Sequence, residues 1–210
     1  MAKRDNPIAE SWAFRNRGVL GVLLFLPALV AVLLGEPLVA ETSAAGLTMD
    51  LAGWVFFLLY VTFRLWATLY IGGKKDSQLQ TRGPYAMTRN PLYFGSLCFV
   101  VSFAFLFKSP LLLLMTVLIA TFYLRAVIPA EERVLEQNFG NAFLQWARVT
   151  PRLFPSLSLL SAEQTVEVSV RALRKEGRRL WWASLLPLVA LLISFLRAAP
   201  WWPHLHAFPI

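Results

Sequence analysis

From Leu51 to Ile71 the chain is apolar except for a single charge, Arg64. A helix needs roughly 20 such residues to cross a bilayer. Four more apolar runs accompany this one: Val19–Leu34, interrupted by Pro27, then Leu92–Phe107, Leu111–Ile128, and Leu180–Leu196, which contains Pro187. The pattern predicts an all-α polytopic membrane protein with about five transmembrane helices and interfacial helices between them. Apolar residues make up 57% of the chain and charged residues only 15%, which excludes an ordinary soluble globule.

The length fits one domain. The formal net charge of +8 would suit nucleic acid, but the basic residues sit between apolar runs rather than on a soluble module. An anionic membrane surface is therefore the expected partner. Lysine and arginine alternate in density from loop to loop. Lys3, Arg4, Arg15 and Arg17 precede the first run; Lys74, Lys75, Arg82 and Arg89 separate the second from the third; a larger set, including Arg171 to Arg179, separates the fourth from the fifth. The loops between carry Lys108, and Arg197 lies near the last. By the positive-inside rule this places the N-terminus in the cytoplasm and the C-terminus outside. The expected location is the cell inner membrane. The first run could also be read as a signal peptide, with Leu38-Val39-Ala40 as its cleavage site. Its long basic lead and the spans that follow favour retention.

Two polar segments then face the cytoplasm. The first, Thr81–Gly95, reads TRGPYAMTRNPLYFG, with turn or helix-start signals at Gly83-Pro84 and Asn90-Pro91. The second, residues 129–155, begins with Pro129 and Glu131-Glu132, arranged like a helix start. Val134, Leu135, Phe139, Phe143 and Trp146 follow at roughly helical spacing and give that helix an apolar, interfacial face. Ser161–Arg179 reads as a basic surface helix preceding the last span. The tight Lys108-Ser109-Pro110 turn pairs the third and fourth runs as an antiparallel hairpin, and that pairing would bring the two polar segments together.

Adjacent carboxylates beside a span are costly unless solvated or paired. Glu131 and Glu132 can simply cap their helix, neutralised by Arg125 and Arg133. Alternatively, one of them grips a ligand ammonium while Arg89 holds a carboxylate with its planar fork. Those charges together would suit a zwitterionic amino-acid moiety.

In combination these residues resemble the integral-membrane methyltransferases, which include the isoprenylcysteine carboxyl methyltransferases and the phospholipid N-methyltransferases. The resemblance rests on Gly83-Pro84-Tyr85, Arg89-Asn90-Pro91, Tyr93 and Gly95, then Glu131-Glu132, Leu135 and Phe139-Gly140, then Arg152 and Pro155. It covers about residues 50–155 as a core, with 161–210 supplying the basic helix and a further span. It implies methyl transfer dependent on S-adenosylmethionine at the cytoplasmic face, to a lipophilic or lipid acceptor arriving from the bilayer. It places Gly83, Tyr85, Arg89, Asn90, Pro91, Tyr93, Glu131 and Glu132 at the cofactor, with Arg89 and Glu132 as the residues expected to matter most for catalysis. The isoprenylcysteine branch usually has histidine where this chain has Asn90, and asparagine carries no proton at neutral pH. A sulfonium methyl is already activated, so no metal is expected. Tyr85 and Tyr93 read equally well as adenine contacts or interface anchors. Gly83 and Gly95 allow either close ligand approach or helix packing, and Pro91 reads as a helix start.

Cys98 reads as a small buried hydrophobe. The His204 and His206 pair lacks the further ligands a metal site needs. Arg64 reads either as a pocket residue or as a side chain snorkelling to the interface. Two rivals remain, a non-catalytic scaffold that keeps the fold and a small transporter. Charges clustered at one face argue against a midplane transport path.

Overall fold

In the computed structural model the described residues are 12–36, 38–72, 78–160 and 165–203. They form helices and connections, without strands. The His204 and His206 pair and the lysines at 74 and 75 fall outside this set.

Each apolar run becomes a helix. Helix α1 is Trp12–Leu33 and α2 is Ala44–Ile71. Ser43 caps α2, its hydroxyl accepting from the Gly46 N–H at 3.0 Å. The short α3, Pro84–Met87, leads into α4, Pro91–Leu106, with Pro91 in its first turn as expected. Ser109 caps α5, Pro110–Phe122, by accepting from the Leu112 N–H at 3.2 Å. A five-residue π-helical turn, Tyr123–Val127, continues α5 into α6, Ile128–Phe139. Helix α7, Asn141–Val149, and the long α8, Val170–Arg197, complete the chain. Ala44–Ile71, Pro110–Phe139 and Val170–Arg197 are each long and apolar enough to cross a bilayer; Gly21–Leu33 and Pro91–Leu106 are shorter apolar helices. Leu113, Leu114, Val117 and Leu118 on α5 stand exposed, as do Leu188, Val189 and Leu192 on α8. In water such a surface would be a large apolar patch; against lipid tails it is the natural outer face of an integral membrane protein.

Three expectations are corrected here. Pro129 does not start a helix: it lies within the continuous apolar helix Pro110–Phe139. Proline removes a backbone donor and crowds the preceding turn, and the wider turn just upstream gives the chain a local departure from α geometry at that point. Glu131 and Glu132 therefore belong to a helix interior, and Glu132 is buried. Nor do Phe139 and Trp146 share one helix. Gly140, at φ 52°, breaks the run, and Phe143 and Trp146 are buried on α7. The basic stretch and the last apolar run, read separately from sequence, form the single helix α8.

Helix α4 turns back into α5, but its most intimate partner is α2. The Ser102 hydroxyl donates to the Gly53 carbonyl of α2 at 2.8 Å. A Cβ on Gly53 would stand 2.7 Å from the Leu106 side chain, so small residues set this close approach. Gly95 lies against Phe63 and Arg64 of α2, which makes it a packing glycine. Helix α8 runs antiparallel to α2. Near one end Glu176 binds Arg64 at 2.6 Å and Arg179 at 2.9 Å. Near the other, the Ser194 hydroxyl donates to the Leu106 carbonyl at 3.0 Å. Arg64 is therefore neither a snorkelling side chain nor a pocket residue but the clamp that joins α2 to α8. At that far end Lys108, fully buried, holds Glu41 and Asp50 at 2.6 Å each.

Candidate functional site

The site lies at the end of the bundle opposite Lys108, where the chain leaves α3 and enters α4. Residues 87–90 are laced to residues 151–156 by backbone bonds. The Arg89 N–H donates to the Pro151 carbonyl at 2.9 Å, and the Ser156 N–H donates to the Met87 carbonyl at 3.0 Å. The Thr88 hydroxyl, on a fully buried residue, donates to the Leu153 carbonyl at 2.9 Å. From Asn90, Nδ2 donates to the Arg152 carbonyl at 2.8 Å. The segment after α7 is thus a strap tied across the α3–α4 turn. The two polar segments meet through this strap rather than through the α4–α5 hairpin alone.

The strap completes a charge node. Glu132 reaches Arg89 Nη1 with Oε1 at 3.0 Å and Arg152 Nη2 with Oε2 at 2.9 Å. Glu132 and the Arg89 side chain are largely buried, whereas Arg152 is 45% exposed. The Arg89 contact is an ion pair set off the hydrogen-bonding direction: Arg89 Nε and Glu132 Oε1 are both buried without a hydrogen-bond partner. Burial pulls the Arg89 pKa down, Glu132 pushes it back up, and Arg152 lowers it again. The node has two cations for one buried carboxylate, together with unused donor and acceptor capacity.

The other expected residues surround this node without joining it. Gly83 sits at φ 59°, a region L side chains avoid, and a Cβ there would come within 2.3 Å of the Tyr70 ring. Tyr85 is buried beside Tyr70, Phe143 and Trp146, and its carbonyl accepts from Trp146 Nε1 at 3.1 Å. Its hydroxyl is buried without a hydrogen-bond partner. Burial above all pushes that phenol well above its ordinary value; Glu131 pushes it the same way and Arg64 opposes. Tyr93 faces Tyr123 edge to face, with ring centres 5.3 Å apart. Pro91 opens α4. Arg89, Asn90 and Glu132 therefore come together, while Gly83 with Tyr85, and Tyr93, form separate walls. Arg152, in the sequence only the first residue of an Arg-x-x-Pro ending, supplies half of Glu132's pairing. The Arg-x-x-Pro ending was the available sequence signal.

Two cavities lie on either side of the strap, and Arg89 of the node lines the polar one. A polar one of about 530 Å³ includes Arg89, Arg148, Thr150, Ser156 and Ser158 in its lining. An apolar one of about 720 Å³ lies between α1, α4 and α5, with Tyr93, Tyr123, Ile128 and Leu153 at its walls. Leu153 of the strap faces the apolar cavity, while Pro151 and Ser156 face the polar one.

The described residues hold no cluster of three or more histidine, cysteine, aspartate or glutamate side chains suited to a metal. No solved structure matches the chain. It is 31% identical to the nickel-cobalt-cadmium resistance protein NccN of Alcaligenes xylosoxydans xylosoxydans, over 95% of this chain and 93% of that protein. It is 37% identical to the cobalt-zinc-cadmium resistance protein CzcN of Cupriavidus metallidurans, over 53% of this chain and 51% of that one. Residues 40–142 match the phospholipid methyltransferase family. That span contains α2 to α6, the α3–α4 turn and Glu132, and on this match and the fold around it the chain belongs to the phospholipid methyltransferase family.

Proposed function

We propose that the protein transfers a methyl group from S-adenosylmethionine to a lipophilic acceptor, at the cytoplasmic face of the inner membrane, with its N-terminus in the cytoplasm. The observation that carries this reading is the node of Arg89, Glu132 and Arg152, held by a strap whose Leu153 lines an apolar cavity and whose Pro151 and Ser156 line a polar one. A water-borne donor and a bilayer-borne acceptor need such a partition.

The residues fit an amino-acid-bearing cofactor. Arg89 Nε can donate to a carboxylate and Glu132 Oε1 can accept from an ammonium, and both atoms are unsatisfied in the present arrangement. The unpartnered Tyr85 hydroxyl is a third polar group available to a ligand. When bound, the sulfonium would supply an already activated methyl group. The protein's own contribution is alignment and exclusion of water. Arg152 holds Glu132 in place, Asn90 holds Arg152, and the apolar wall at Leu153 keeps water from the acceptor side. Arg89, Glu131 and Glu132 remain cofactor-contact residues in this reading, with no base assigned.

A second reading has one observation behind it. Arg89 and Glu132 neutralise each other, as they would in a membrane scaffold that retains the fold without activity. Binding of labelled S-adenosylmethionine to the purified protein separates the two. The enzyme reading expects saturable binding that falls at least tenfold in Arg89→Ala and Glu132→Ala. Binding unchanged in both variants would remove the site as drawn, and a wild-type protein that fails to bind would favour the scaffold.

A further inference from the structure

The strap that crosses the α3–α4 turn has an apolar side that nothing among the described residues covers. Phe154 is 66% exposed, Leu157 78% and Leu160 57%. Leu157–Leu159 forms a 3-10 turn, and Leu160 follows it as the C-cap. With three residues per turn, positions 157 and 160 stand over one another. Ser156, Ser158 and Leu159 line the polar cavity instead. The turn is therefore two-sided, with a polar cavity on one side and large apolar side chains on the other.

The bundle sets the depth of this apolar side. Phe154 meets Phe94 edge to face, ring centres 6.5 Å apart. Phe94 lies one turn into α4 and packs on the cluster of Phe57, Tyr60, Cys98 and Leu180. Leu180 is followed on α8 by Trp181 and Trp182, both well exposed. Tryptophan collects where hydrocarbon gives way to headgroups, and Phe154 stands near the level of this pair. The length of α4 agrees. Its 16 residues rise only about 24 Å, against roughly 30 Å of hydrocarbon. Two residues beyond its far end, Lys108 already holds Glu41 and Asp50. The remaining ~6 Å falls at the node end, where the strap lies.

An irregular segment at that depth must have its backbone polar groups tied. Pro151 and Pro155 carry no N–H. The carbonyls of Pro151, Arg152 and Leu153 accept from Arg89, Asn90 and Thr88. The N–H groups of Ser156, Leu159 and Leu160 donate to the carbonyls of Met87, Ser156 and Leu157. Around them Arg152 is 45% exposed and Arg179 54%, and such side chains reach from an apolar level to lipid phosphates.

We propose that the strap is an interfacial anchor. Phe154, Leu157 and Leu160 seat in the phospholipid surface of the leaflet at the node end, and the flanking arginines meet its phosphates. Arg152 reaches Glu132 from the same strap, so the lipid contact and the charge node stand on one segment. The anchor does not depend on the function proposed above.

The test uses the full-length protein in nanodiscs of phosphatidylethanolamine and phosphatidylglycerol. Phe154→Cys, Leu157→Cys and Leu160→Cys each receive a nitroxide, with Cys98→Ala removing the one native thiol. Power saturation compares oxygen, which concentrates in lipid, with a nickel chelate, which stays in water. Labels at all three positions are expected to favour oxygen, as should Leu118→Cys on the exposed apolar face of α5. Ser158→Cys, on the cavity side of the turn, should favour the chelate several-fold. Leu157→Ser with Leu160→Ser changes only exposed positions, so the unfolding midpoint in detergent should hold while the label at 154 shifts toward the chelate. Chelate preference at all three positions would overturn the proposal. So would a label at 154 unmoved by the serine pair, or dipolar broadening that shows a second copy seated on the strap. Oxygen preference in a protein that does not bind S-adenosylmethionine would support the anchor and count against the activity alone.

Discussion

Asn90 donates from Nδ2 to the Arg152 carbonyl at 2.8 Å, and the guanidinium of that same arginine closes on Glu132 at 2.9 Å. Asn90 is thus a tie between the strap and the α3–α4 turn. Losing one such bond costs about 0.5–1.5 kcal/mol. Asn90→Ala is therefore expected to lower the unfolding midpoint in detergent only modestly while weakening S-adenosylmethionine binding several-fold. Asn90→His should introduce a pH dependence of binding near 6.5 that the wild type lacks; titration calorimetry across pH 5.5–8 checks this.

Glu132 separates structural from functional roles. Glu132→Ala leaves two arginines facing each other, and breaking a buried pair costs about 3–5 kcal/mol. Arg152 is 45% exposed, so solvent reduces the expected loss to about 2 kcal/mol. The double variant Arg89→Met with Glu132→Leu should recover most of that stability, because it strands no buried charge, yet bind no cofactor. Thermal unfolding alongside labelled-cofactor binding tests both halves.

The Tyr85 hydroxyl is buried and unpartnered, a cost of about 1–3 kcal/mol to the folded chain. Tyr85→Phe should leave stability equal or higher while reducing cofactor affinity, read by thermal unfolding beside labelled-cofactor binding. The raised phenol pKa, caused first by burial, also fixes a sign. Below pH 10.0, the ordinary phenol value, the group is protonated in both folded and unfolded chains and contributes no slope. As pH rises past it, the unfolded chain loses the proton first. Stability then falls by up to about 1.4 kcal/mol per pH unit. Wild type should lose stability above pH 10 more steeply than Tyr85→Phe in alkaline unfolding scans.

At the far end, Lys108 holds Glu41 and Asp50 with a fully buried ammonium. Lys108→Met should destabilise by about 3–5 kcal/mol, because two carboxylates are left facing each other without their cation. Cofactor binding per folded molecule should not change, since the site is at the opposite end of the bundle. Adding Glu41→Gln and Asp50→Asn to Lys108→Met should restore part of the loss.

Local chemistry made much of this protein legible. The five apolar runs became helices, Pro91 opened α4, and the Ser109-Pro110 turn reversed the chain, because spans, caps and turns depend on residues within one or two helical turns. The Arg-Asn-Pro turn and the paired glutamates were visible as a constellation for the same reason. What the residues touch was not. Arg64 binds Glu176 across 112 positions and Trp146 binds the Tyr85 carbonyl across 61. Long side chains choose such partners only after the helices have packed. Likewise Pro129 sits inside a helix rather than at its start, where a wider turn accommodates it. The sequence by itself determined the membrane, the helices and the residues able to do the chemistry. Only the tertiary structure decided that Arg152 shares Glu132 with Arg89, and that the strap carrying Arg152 runs between an apolar cavity and a polar one.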